Sequence, residues 1–209
     1  MAPIVFPDGY VVFQPKLHIT PAERRFWGID GGSELRVIST PKAKIGVLIC
    51  YDSEFPEAAR YLADAGVEIL FVPYCTDDRQ GHARVRYCSH ARAIENQISR
   101  GDGGHGGQPA SMCRPWTSTT VRAAIFTPSD FEFSRDGIHA EADSNVETML
   151  VADLDIHDLY RSRSSGSVRP RLDRRLDLFE FHAHLRNDLE ILNPEEAEPI
   201  GPTPEDDDE

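Results

Sequence analysis

Two short runs that are almost wholly apolar, Ile45-Gly46-Val47-Leu48-Ile49 and Val67 to Val72, stand one helical stretch apart. A strand this apolar belongs in a sheet covered on both faces. Parallel strands need a crossover between them, usually a helix. The intervening stretch supplies one. Asp52 is a candidate N-cap, Pro56 falls in a first turn beginning at Ser53, and Phe55, Ala59 and Leu62 share a face. Gly66 then ends the helix, and Pro73 closes the second strand. From about His82 to Ile98 the spacing of Val85, Cys88, Ala91, Ile94 and Ile98 predicts another helix. Strand, helix, strand, helix in this order is the βαβ pattern, so the fold class is α/β.

The flanks extend that frame. Asp8-Gly9 is a turn corner, with a strand at Val11-Val12-Phe13 behind it. A turn so near the first residue leads us to expect that the chain begins inside a domain. Glu34 to Ser39 and Lys44 to Cys50 read as strands joined through Pro41. Farther on, Ala123-Ala124-Ile125-Phe126 and Met149-Leu150-Val151-Ala152 read as strands and Asp155 to Arg163 as a short helix. Arg171 to Phe181 mixes charge with Leu and Phe, as an arm that packs on a partner subunit would. Residues 1–193 are expected to form one domain. From Pro194 onward every charged residue is acidic, and 194–209 is read as a disordered tail.

A net charge of −13 argues against a nucleic-acid binder, which needs a basic face. No apolar run approaches the ~18–20 residues that span a bilayer, and the first residues lack the pattern of a signal peptide. Four cysteines in 209 residues are too few for a disulfide scaffold, so a reduced cytoplasmic setting is expected. Cys75, His82, Cys88 and His90 fit no tight metal-ligand spacing, and no metal or other cofactor is expected. Gly103 to Gly107 lacks the lysine and hydroxyl of a phosphate loop. Glu54 and Glu57 read as first-turn acids. Arg84, Arg86 and Arg92 read as a solvated helix face.

Chemistry concentrates at Cys50. A cysteine placed where a buried strand turns into a helix lies at the carboxyl edge of a sheet, where α/β proteins put their sites. A helix N-terminus there would lower the thiol pKa from ~8.5, and backbone N–H groups past the turn could hold an oxyanion. Taken alone, a cysteine ending an apolar strand is more often a core residue. Lys16, at the end of the first strand, would by itself be an ordinary solvated lysine.

Taken together, Lys16-Leu17-His18-Ile19, Ile49-Cys50-Tyr51-Asp52-Ser53-Glu54-Phe55-Pro56-Glu57, Gly66-Val67-Glu68-Ile69-Leu70 and Ala91-Arg92-Ala93-Ile94-Glu95-Asn96-Gln97 resemble the nitrilase, or carbon–nitrogen hydrolase, superfamily in order and spacing. Ala124 to Asp130 and Gly166 to Arg169 resemble most closely those members often fused behind an N-acetyltransferase domain. The resemblance implies an α-β-β-α sandwich and hydrolysis of an amide or nitrile of a small molecule. Cys50 would form a thioester, with Lys16 and the backbone N–H of Tyr51 as oxyanion donors. Glu23 would match the family's second glutamate, which positions substrate and lysine. Family members commonly dimerise, so a homo-oligomer is expected.

The chain also departs from the pattern. The family's general base is a glutamate well upstream of the lysine, and no Glu precedes Lys16. We therefore expect an N-terminally truncated sandwich, lacking its first strands and helices, with weak or no activity. Residues 99–121 lose the family pattern. Shifted reading frames over 107–109 and 115–122 can spell family-like strings, so a frameshifted stretch and a divergent flexible loop both account for it. Two functions follow: an amide-cleaving enzyme, or a catalytically impaired chain of the same fold acting as an interaction module.

Overall fold

The computed structural model describes residues 1–76, 78–104, 121–182 and 190–192. The expected tail and most of the aberrant stretch lie outside them. The chain opens with a hairpin, β1 (Ala2–Val5) against antiparallel β2 (Val11–Gln14). Its corner is Asp8-Gly9, as expected. Gly9 adopts φ +88°, and the Tyr10 N–H donates to Asp8 Oδ1 at 3.0 Å. A short helix, α1 (Pro21–Trp27), follows.

The second sheet has seven strands. They are β3 (Arg36–Ser39), β4 (Lys44–Val47), β5 (Ile69–Tyr74), β6 (Ser99–Gly104), β7 (Ala124–Phe126), β8 (Ile138–Glu141) and β9 (Glu190–Leu192). Their order across the sheet is β8-β7-β6-β5-β4-β3-β9. β4, β5 and β6 run parallel, as the βαβ reading requires. The crossovers are α2 (Pro56–Asp64) and α3 (Arg79–Asn96). Both lie on one face of the sheet. Leu48, Ala59, Leu62, Leu70, Val72 and Val85 form one core with Leu35, Val37 and Ile98. A helix α4 (Ile156–Ser165), capped by Asp155, completes the described elements. It matches the expected helix.

Four local expectations are corrected. The helix after Cys50 begins at Pro56 rather than Ser53; residues Cys50–Glu54 form a 3₁₀ turn, and Asp52 does not cap α2. Of the apolar set read from spacing for α3, Val85 and Ile98 are buried, but Cys88 and Ala91 are only partly so and Ile94 is exposed; His82, Ser89, Arg92 and Asn96 share the buried face instead. Arg92 is drawn in by the Ser53 and Glu54 carbonyls, while Ser89 and Asn96 bond back to carbonyls of their own helix. Met149–Ala152 is not a strand. Met149 and Val151 are 82% and 81% exposed, and β8 takes the place beside β7 instead. A strand exists only where a ladder partner is free, and the apolar pattern alone cannot supply one. Finally, Pro73 sits inside β5, opposite Gly103, and Ser99–Gly104 is a strand although the sequence there loses its pattern.

Candidate functional site

The site assembles where β4 ends. After Val47 the chain enters the 3₁₀ turn with Cys50 at φ +51°, in the left-handed region that a non-glycine residue occupies only under constraint. Ser53 Oγ donates to the Cys50 carbonyl at 2.7 Å and steadies the turn. The half-buried Cys50 Sγ donates weakly to the Cys75 carbonyl, 3.8 Å away at the end of β5. Burial pushes the thiol above its ordinary pKa. Backbone contacts from Cys75 and Tyr51 and the Lys16 charge pull it down, and the Glu23 charge pushes it up. The expected lowering by a helix N-terminus is therefore corrected: a five-residue 3₁₀ turn carries little dipole, and removal from water dominates.

Lys16 arrives from the other sheet. It follows β2 directly, its side chain is 11% exposed, and its Nζ lies 2.6 Å from both carboxylate oxygens of Glu23. The sequence makes this pairing local. Thr20 caps α1, and Glu23, three residues on, closes a capping box: the Glu23 N–H donates to Thr20 Oγ1 at 3.2 Å, while the Thr20 N–H and hydroxyl donate to Glu23 Oε2 at 2.9 Å. Burial works to raise the Glu23 carboxyl. Hydrogen bonds from Lys16 and Thr20, with the ammonium charge, outweigh it and hold the pKa below the usual range.

Three contacts fix the backbone that carries Lys16. Buried Gln14 donates to the carbonyls of Pro15 and Glu34 and accepts from the Arg36 N–H, tying β2 to β3. The Gly32 N–H donates to the Lys16 carbonyl at 2.8 Å. The third is Asp52, 1% exposed. Its Oδ1 accepts the N–H groups of Leu17 at 3.1 Å and His18 at 2.6 Å, and its Oδ2 accepts that of Ile49 at 3.1 Å. One carboxylate thus joins the lysine segment to the cysteine turn. The His18 ring approaches Asp52 Oδ1 through Nδ1 at 3.0 Å and stacks on Phe55, with centroids 3.7 Å apart. Tyr51 meets Phe55 edge-on.

From behind, α3 supports the turn. Arg92, 6% exposed, donates through Nε to the Ser53 carbonyl at 3.2 Å and through Nη2 to the Glu54 carbonyl at 3.4 Å, and pairs with Glu95 at 2.6 Å. The reading of Arg84, Arg86 and Arg92 as one solvated face fails at Arg92, which the turn's outgoing carbonyls draw in, and at Arg86, whose side chain is 18% exposed, paired with Glu141 and set over the Phe126 ring. Arg84, which pairs with Glu54 at 3.5 Å, is largely exposed, as expected.

The local pair Lys16–Glu23 and the turn carrying Cys50 and Tyr51, far apart along the chain, are thus joined through Asp52. Asp52, Gln14 and Arg92 were not singled out from the sequence for this site. Asp52 carried a signal, since an acid two residues past a candidate nucleophile has a site to serve as well as a helix to cap. Among the described residues no three His, Cys, Asp or Glu side chains are grouped to hold a metal, and no helix is long and apolar enough to cross a membrane. A cavity of about 460 Å³ is lined by Arg174, Arg175, Leu176, Phe179, Glu180 and Phe181, on the late arm and not around Cys50.

The family described as carbon-nitrogen hydrolase matches residues 7–98, which include Lys16, Glu23 and Cys50. The chain is 49% identical to the probable hydrolase YhcX of Bacillus subtilis over 83% of its own length and 34% of that protein. It is 31% identical to N-carbamoylputrescine amidase of Arabidopsis thaliana over 83% of its length and 55% of the enzyme. The chain thus spans from a third to little more than half of these relatives. Among solved structures, a carbon-nitrogen hydrolase of Helicobacter pylori is similar with a TM-score of 0.68 at 22% identity, covering 84% of this chain and 62% of that one. A mutant amidase of Nesterenkonia sp. AN1, with the acetamide moiety of fluoroacetamide added covalently at its active-site cysteine, is similar with a TM-score of 0.57 at 22% identity, covering 78% and 53%.

Proposed function

The chain belongs to the carbon–nitrogen hydrolase superfamily, and from that premise we propose that Cys50 is the nucleophile of an amidohydrolase acting on a non-peptide C–N bond of a small amide or nitrile. The observation that carries the proposal is the largely buried Lys16 ammonium, locked by Glu23 and tied through Asp52 to the turn that holds Cys50. In the proposed reaction with an amide the sulfur attacks the carbonyl carbon. Negative charge gathers on the carbonyl oxygen, where the Tyr51 N–H and Lys16 stabilise it; loss of one such donor typically costs about 10²–10³ in rate. The C–N bond breaks, the thiol proton leaves with the amine, and a thioester remains. Water then cleaves the thioester, releasing the acid and restoring the thiol. Glu23 aims Lys16 rather than taking protons, because both its oxygens are occupied by Lys16.

A proton carrier between sulfur, leaving nitrogen and water is still required. Among the described residues, Glu23 is the carboxylate whose charge acts on Cys50. General acid–base help is worth about 10²–10⁴, and acylation and thioester hydrolysis both draw on it, so the 209-residue chain is expected to turn an amide over slowly. Treatment with fluoroacetamide followed by peptide mapping tests the reading. A single adduct on Cys50, abolished in Cys50→Ala and slowed in Lys16→Met, is expected. Adducts on exposed Cys75 with Cys50 untouched would overturn it.

A further inference from the structure

We infer that Asp52 is a positioning residue that sets the placement of Lys16 relative to Cys50, a role that rests on the reading of those two residues given above. Its carboxylate is buried and accepts backbone N–H groups from two separate parts of the chain: Leu17 and His18, directly after the lysine, and Ile49, directly before the cysteine. β2 and β4 belong to different sheets, and α1 has no buried residue of its own. Leu17 packs on the main core and His18 stacks on Phe55, contacts that leave the backbone between them to be fixed by hydrogen bonds. Asp52 supplies the direct bonds between them. A carboxylate suits the task because it offers about four acceptor sites and no donor. Asparagine at this position would aim an N–H₂ group at one of the N–H donors and lose at least one bond.

The groups that face the thiol are Lys16 from the β2–α1 connection and Glu23 from α1; His18 faces Asp52 itself. Lys16 and Glu23 form a local pair that survives displacement as a unit. Loss of Asp52 therefore moves the ammonium away from the sulfur without unpairing it.

The test is the pH dependence of Cys50 alkylation by fluoroacetamide, read by intact mass and peptide mapping on the whole chain. In Asp52→Asn the midpoint is expected to rise, by less than the roughly one unit that loss of a lone opposite charge produces, because Glu23 moves away with Lys16. Asp52→Glu, which keeps the charge but misplaces it by one methylene, should give a smaller rise and serves if Asp52→Asn fails to fold. Asp130 is the control. It accepts bonds from Ser162, from the Phe131 N–H and from the Ser167 N–H and hydroxyl, joining α4 to the loop after β7, and is not part of the site. Asp130→Asn should lower Tm and leave the midpoint unchanged. If the Asp52 variants also lower only Tm, the inference is overturned. Lys16→Met separates the two failures: a midpoint that ignores Lys16 sinks the reading of the site, whereas one that responds to Lys16 but not to Asp52 sinks only this inference.

Discussion

The Lys16–Glu23 pair shows how much of the site is local chemistry. Seven residues separate the partners, and the capping box that starts α1 delivers the glutamate to the lysine. The sign of the pH effect follows. Because the Glu23 carboxyl is held below its ordinary value, of about 4.3 in model peptides, the folded chain binds fewer protons there than the unfolded chain. Its contribution to stability is complete above that ordinary value and is lost as pH falls through the lower folded one. Denaturant titrations between about pH 3 and pH 6 should show wild-type stability falling toward acid, with a shallower slope in Glu23→Gln. Equal slopes would mean that the carboxylate gains nothing from its partners. The sequence offered Lys16, Glu23 and Cys50 by type and order. It could not give their approach, because that depends on Asp52, whose partners Leu17 and His18 are distant in the chain.

At the level of elements, the parallel β4-β5-β6 core was legible because apolar runs and crossover helices leave strong periodic marks. The buried face of α3 was not. Its polar side chains are buried by what they bond: Arg92 by the carbonyls of the cysteine turn, and Asn96 by the Arg92 carbonyl at 3.0 Å. Hydrophobic spacing carries no trace of such needs. The same helix buries His82 and half-buries His90. His82 lies 3.2 Å from the Tyr74 hydroxyl, and His90 stacks on Phe126 with centroids 4.8 Å apart. Burial, and then the charge of Arg86, lowers both pKa values. The unfolded chain takes these protons below about pH 6.5 and the folded chain resists them. Stability should therefore be full above that pH and decline below it. Thermal melts at about pH 7.5 and pH 5.5 should show this fall, and His82→Gln combined with His90→Gln should shrink it. An undiminished fall in the double variant would remove the histidines as its source.

For the molecule as a whole, strand order was the least legible property. β9, from near the end of the chain, lies parallel to β3 at one edge, while Met149–Ala152, with the better strand pattern, pairs with nothing described. Which segment wins a sheet edge is decided by competition among distant parts of a chain. The late arm is held in a comparable way. Arg174 donates to both Asp64 oxygens, at 3.1 and 2.9 Å, and Arg171 donates to the Ala63 carbonyl, while Leu172, Leu176 and Phe179 face outward. An exposed pair of this kind is worth about 1 kcal/mol at most. Asp64→Ala should thus speed trypsin cleavage after Arg171, Arg174 or Arg175 by about fivefold, with Tm almost unchanged. An unaltered digestion rate would show that the arm is anchored elsewhere. The backbone at position 50 carries a wider consequence. Glycine would occupy that left-handed turn with less strain than cysteine, so selection for a sturdier protein and selection for a working one pull this site in opposite directions.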